Sequence, residues 1–252
     1  MSKKYNGACL CLLLFLIQGC ASTGMNPAAV DPLERYNRKM YKINENIDAY
    51  FMQPLALAYR DLMPDSIEKG VHNFFSNIND LPIALNNLFQ LKFKNAASDV
   101  GRVLVNSTLG FAGFYDPASH LSLKKHDEDL GQTLGFWGVR TGPYVVLPFF
   151  GPSNVRDSFG LVGDTLTDPL MLANWYLNRE YYAVSTVKYI DKRVALLEIT
   201  DMLDEVSMGD NYGFVKDSYL QLRTFKIYDG NPPEELSDDE LSEDDLEDDM
   251  EL

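Results

Sequence analysis

Cysteine is almost missing from this chain of 252 residues: there are three, Cys9, Cys11 and Cys20, all within the first twenty positions. Beyond Cys20 no disulfide and no thiolate-held metal can form. Histidine is equally scarce and limited to His72, His120 and His126. The chain has no G-x-S-x-G elbow, no phosphate-binding glycine loop and no H-E-x-x-H pair. Three familiar signatures, of serine hydrolases, nucleotide enzymes and zinc peptidases, are therefore absent. No metal or cofactor is expected, and the chain does not read as an enzyme. Also lacking is any uninterrupted apolar run of the roughly 20 residues that a membrane-crossing helix needs.

What is present begins with a secretory N-terminus. Lys3 and Lys4 form a positive start and Ala8 to Ile17 an apolar core, too short to span a bilayer. Ile17-Gln18-Gly19-Cys20 then resembles the lipobox of bacterial lipoproteins. On that resemblance 1–19 is a signal peptide and Cys20 is the acylated first mature residue, carrying palmitate-like chains. The small-residue tether then runs over 20–30. An ordinary signal ending near a cysteine is the alternative. At about 0.8 kcal/mol per buried methylene, several acyl chains make a stable anchor. Ala21 follows the cysteine where lipoproteins kept in the inner membrane commonly carry Asp, so the expected site is the periplasmic leaflet of the outer membrane.

Charge is unevenly placed. The net charge is -15, yet twelve acidic and no basic residues lie between Asn231 and Leu252. Without that tail and the two signal lysines, the body carries 25 acidic against 20 basic residues. The segment 231–252 reads as a disordered acidic tail, and a body without a basic stripe argues against nucleic acid as a partner.

The body, 31–230, reads as one all-α, mainly helical domain with Gly/Pro/aromatic-rich loops. Asp31 offers an N-cap and Pro32 a first helical residue. Leu33, Tyr36, Met40, Ile43, Ile47 and Tyr50 follow at helical spacing. Pro54 is expected to kink or break this helix, and a second short helix ends near Pro64. Further helices are expected over 66–77, 81–91 and 95–104, through Val187, Ile190, Val194 and Leu197, and through Tyr212, Val215, Tyr219 and Leu222. Only Tyr144–Leu147 reads as a strand.

Two stretches depart from ordinary soluble patterning. Val103 to Leu123 has one formal charge, Asp116, and Leu130 to Val155 has only Arg140. Both are rich in Gly and aromatics. Buried core with turns accounts for single aromatics here. As a pair on an anchored protein they suggest membrane contact, with Trp137 and Tyr144 suited to interfacial depth.

Candidates for chemistry are few. "HDED", His126 to Asp129, reads as a solvated loop in preference to a metal cluster, because consecutive side chains diverge. Asp116, Ser119 and His120 invite a hydrolase triad, but adjacency in sequence does not provide its geometry.

Several blocks resemble the MlaA (VacJ) family of outer-membrane lipoproteins: "DPLERYNRKMYKIN" at Asp31–Asn44, "NFFSNINDLPIALNNLFQ" at Asn73–Gln90, "VNSTLGFAGFYDPAS" at Val105–Ser119, and "DLGQTLGFWGVRTGPYVVLPFFGPSNVRD" at Asp129–Asp157. The resemblance implies a ring-like, membrane-embedded domain with a central amphipathic channel. Phospholipids mislocalised in the outer leaflet would pass through it to a periplasmic lipid carrier protein, in association with a trimeric porin. It also implies a channel role around Asn44, where family members often have Phe-Asn in place of Ile43-Asn44. In such a channel Phe111, Phe114, Trp137, Phe149 and Phe150 would lie near lipid. Gly110 and Gly113 would permit close backbone packing, and Gly142 and Pro143 would shape the channel-side loop before Tyr144. Arg140 and Arg156 would meet a phosphate, unless Arg156 is a structural partner of Asp157. A phospholipid losing cover for about thirty methylenes would cost roughly 20 kcal/mol or more, so such a path needs apolar walls as well as a polar lane. A scaffold for porin or envelope complexes and a phospholipase are the competing readings.

Overall fold

The computed structural model describes residues 31–177, 179–207 and 209–233. The signal, the tether with Cys20 and nearly all of the acidic tail lie outside the described residues.

Helix α1 (Glu34–Ile47) passes through a π-helical turn (Asp48–Met52) directly into α2 (Gln53–Leu62). Pro54 does not break it. It sits in the first turn of α2, where a missing N–H is tolerated, and the Gln53 N–H reaches back to the Asp48 carbonyl. Nor is Asp31 the N-cap. The helix starts after Leu33, and the Asp31 carboxylate accepts the Leu33 N–H and the Asn37 amide, each at 3.0 Å.

The helices expected at 66–77 and 81–91 are one element, α3 (Asp65–Phe89), with Pro82 buried inside it. Helix α4 (Phe93–Thr108) and the short α5 (Pro117–His120) follow. Helix α6 (Leu130–Phe136), where no regular element was expected, is capped by Asp129, which accepts the Gln132 N–H at 2.8 Å. Strands β1 (Tyr144–Leu147) and β2 (Gly151–Asn154) pair antiparallel, Tyr144 opposite Asn154 and Leu147 opposite Gly151. Then come α7 (Val155–Thr167), α8 (Pro169–Leu177), α9 (Arg179–Val194), α10 (Leu197–Val206) and α11 (Asn211–Ile227). The fold is mostly helical, with one two-stranded hairpin. Among the described residues no helix is long and apolar enough to cross a membrane.

Helix α3 packs along α4, and α9 lies against both α2 and α3. Contacts run from α1 to β1, β2, α7, α8, α9 and α2, then back through the π turn to α1. The cavity described below is walled by the π turn, the hairpin, α7, α9 and α11.

Burial runs opposite to the usual order. Among the described residues eleven hydrophobic side chains are buried, against twenty-one polar or charged ones. Helix α4 illustrates the inversion: Ala96, Asp99, Arg102 and Asn106 point inward, while Val100 and Leu104 are exposed. Helical spacing of apolar residues thus located these helices without showing which face is covered. The polar interior is satisfied by pairing. Arg102 lies 3.3 Å from Asp80 and 2.9 Å from Asp116, and Asn87 donates to Asp99 at 2.8 Å.

Candidate functional site

Two asparagines on α1 position the hairpin. Asn37, fully buried, donates to the Tyr144 carbonyl at 3.0 Å and accepts the Val146 N–H at 2.8 Å. Asn44 donates to the Leu147 carbonyl at 2.8 Å and accepts the Phe149 N–H at 2.9 Å. The free edge of β1 is thereby saturated by carboxamides in place of another strand. The turn they hold carries Phe149, 78% exposed and at φ 65°, and Phe150, 59% exposed. A bulky side chain at positive φ costs energy and persists only where its surroundings enforce it.

The turn borders a cavity of about 510 Å³. Met52, Leu147, Phe149, Phe150, Leu161 and Leu196 are its apolar lining. Its charged lining comes from the π turn (Asp48), α7 (Asp157 and Asp164), α9 (Lys192 and Arg193), α11 (Arg223) and Asp129, interleaved with the apolar residues on the π turn and α7. A second cavity, of about 540 Å³, shares Asp48 and Pro152 with the first and is walled partly by Tyr41 and Asn44. At the shared wall Arg193 grips Asp48 with Nε at 2.6 Å and Nη2 at 2.7 Å.

Arg223 bridges Asp129 and Asp157, at 2.5 and 2.8 Å. Burial alone would raise both carboxyls, but hydrogen bonds and charge hold them below the usual range, from Arg223 at Asp129 and from Arg156 and Arg223 at Asp157. Asp164 differs. It accepts the Leu130 N–H at 3.0 Å and the Asn86 amide at 3.3 Å, and burial together with the charge of Asp129 pushes it up to about 6. Lys192 is exposed, yet crowding by the surrounding chain and the neighbouring Lys188 keep it below the ordinary lysine value.

The residues singled out from sequence fall into three groups. Phe149 and Phe150 line the cavity, while Phe111 (80% exposed) and Trp137 (58% exposed) lie on the surface, the Trp137 indole donating to the Phe89 carbonyl at 3.1 Å. Gly142, Pro143 and Arg140 form an exposed loop, and Arg140 has no hydrogen bond or ion pair among the described residues. The rest are structural. Tyr144 is 3% exposed and packs edge-on against Tyr212 and Tyr219, so its ring belongs to the core and offers no surface to a membrane. Arg156 is buried with Nε 2.9 Å from Asp157, which makes it the ion pair and not a phosphate ligand. Phe114 is half-buried against Gly70, where a Cβ would collide with its ring. Gly110 and Gly113 do permit close approach: a Cβ would meet the backbone of Tyr115 and Asn106 at the first, and the Asn77 side chain 2.7 Å away at the second. Asn44 spends both ends of its amide on the hairpin, and its neighbour on that face, Asn37, was missed because a lone Asn within a helix gives no periodic signal.

"HDED" is not a solvated loop. His126 lies 2.8 Å from Asp99, Lys226 2.5 Å from Asp127, Lys92 3.0 Å from Glu128, and Arg223 pairs with Asp129. The triad does not assemble either: Ser119 donates directly to Asp116 at 2.6 Å and also receives Arg102 at 3.1 Å.

A family model described as MlaA lipoprotein matches residues 29–226. The intermembrane phospholipid transport system lipoprotein MlaA of Escherichia coli (strain K12) is 33% identical over 255 residues, covering 97% of this chain and all of that one. Its counterpart in Haemophilus influenzae is 31% identical over 242 residues, 91% of this chain and 94% of that one. A structure solved in work on the structural basis for maintenance of bacterial outer membrane lipid asymmetry superposes with a TM-score of 0.67. It is 31% identical and covers 79% of this chain and 99% of its own. With its exposed aromatics, its half-charged cavity and matches along nearly its whole length, this chain belongs to the MlaA lipoprotein family.

Proposed function

We propose that this protein removes phospholipids from the outer leaflet of the outer membrane and passes them to a periplasmic carrier. Its relatives carry the name of an intermembrane phospholipid transport system. The observation that carries the reading is the cavity lined by both apolar and charged side chains and bordered by Phe149 and Phe150. Acyl tails need apolar cover, whereas a headgroup resists hydrocarbon because burying its charge is costly. A path with both kinds of lining meets both demands, and no covalent chemistry is required. The inverted burial supports the same reading: exposed Leu, Phe and Val stabilise a protein held at hydrocarbon depth and would be costly in water. Cys20 supplies the anchor, and the closed sequence of contacts around the cavity suits a ring-like domain, with a porin as its neighbour in the membrane.

The test is phospholipid exposed on the surface of intact cells, with the gene deleted, restored, or restored as Cys20→Ala. Exposure should rise on deletion and fall only with the acylatable form. Unchanged exposure together with disrupted porin complexes would replace this reading with a scaffold.

A further inference from the structure

The charged side chains lining the cavity do not all pair with one another. Four carboxylates and three cations line it. Arg193 is spent on Asp48, and Arg223 on Asp129 and Asp157. One group of each sign is left over. Asp164 receives only neutral donors, the Leu130 N–H and the Asn86 amide. The Lys192 side chain is exposed and has no hydrogen bond or ion pair among the described residues, with the charges of Asp168, Asp127 and Asp191 around it, and it does not pair with Asp164. A partly buried carboxylate held by neutral donors alone is unfavourable until a cation neutralises it, and an exposed lysine on the same cavity can turn to a ligand without first breaking an ion pair.

We propose that this cavity is a subsite for a zwitterionic phospholipid headgroup, with Lys192 meeting the phosphate and Asp164 a primary ammonium of the ethanolamine type. The proposal rests on the lipid-passage reading above. Asp164 selects for N–H donors: a trimethylated choline has none, and a glycerol headgroup brings no positive charge. The elevated Asp164 carboxyl fits a group awaiting a cation, since an ammonium placed there would favour its ionised form. Tails attached to such a headgroup would find Met52, Phe149 and Phe150 in the lining of the same cavity.

The experiment uses the full-length protein in detergent micelles and three dihexanoyl phospholipids, with ethanolamine, choline or glycerol headgroups, binding being followed by calorimetry. The ethanolamine lipid should bind about tenfold more tightly than the other two. Asp164→Asn should erase that preference, and Lys192→Gln should weaken all three lipids alike. Equal affinity of the unaltered protein for ethanolamine and choline lipids overturns the subsite, as does an Asp164→Asn protein that keeps the preference. Because Asp164 also holds the start of α6, that variant could fail to fold; the lipid series on the unaltered protein needs no variant and decides by itself. Inorganic phosphate displacing the ethanolamine lipid at equal concentration would assign the site to a free anion and overturn the proposal. If none of the three lipids binds, the lipid-passage reading itself falls.

Discussion

Asn37 and Asn44 lie two turns apart on one face of α1, and each holds the edge of β1 with both ends of its carboxamide. The hairpin carrying Phe149 and Phe150 is therefore fixed by helix side chains. An Asp at either position keeps the acceptor and loses the donor. Asn37→Asp would also set a carboxylate against Asp31, whose oxygen is 3.0 Å from the Asn37 amide. Asn44→Asp should cost about 1–3 kcal/mol and Asn37→Asp more, read by denaturant unfolding in detergent. Equal and negligible losses would mean that the strand edge does not depend on these amides.

The buried guanidinium of Arg102 joins Asp80 on α3 to Asp116 before α5 and to the Leu123 carbonyl at 2.9 Å. Arg102→Met leaves the fully buried Asp80 with Lys125 alone. Removing one partner of a buried pair costs about 3–5 kcal/mol. Adding Asp80→Asn should recover part of that loss, and thermal unfolding of the single and double variants checks it.

Much of the fold was legible in the sequence, and the reasons differ by element. Apolar spacing located α1, α4 and α11, because a helix with two unlike faces shows its period whichever face is covered. It left the direction of burial open: Asn37, Asp99, Arg102 and Asn106 face inward, and a period carries no sign. Proline misled at Pro54, which lies where a helix tolerates it, and the gap expected between 77 and 81 is helical, with Pro82 held inside α3. Of the site, Phe149 and Phe150 could be named from the family resemblance. Lys192, Arg193, Asp164 and Arg223 could not, because they come together only when the π turn, α7, α9 and α11 converge.

Acid should weaken the fold through Asp116. Burial would raise its carboxyl, but hydrogen bonds from Ser119, Arg102 and Asn106 outweigh burial and hold it at about 2, below the ordinary 3.8. A folded value below the unfolded one contributes stability above about pH 4 that is lost as pH falls through 2. Asp164 has the opposite sign. Raised to about 6, it contributes stability that is fully present below 3.8 and is lost as pH rises to 6. Asp116→Asn should flatten the limb below pH 4, and Asp164→Asn the one between pH 4 and 6, in denaturation midpoints measured across that range.

Phe149 sets stability against function. Its φ of 65° lies in the left-handed region, where glycine is at ease and phenylalanine is strained. The side chain is 78% exposed, so its removal leaves no large core cavity. Phe149→Gly should therefore leave stability unchanged or raise it by up to about 1 kcal/mol. The same change removes an aromatic face from the cavity rim beside Phe150, so phospholipid exposed on intact cells should rise towards the level of the deletion. Strain kept at an exposed position has a reason when the residue meets a ligand. A Phe149→Gly protein with both normal stability and normal lipid handling would show that the ring has no such role.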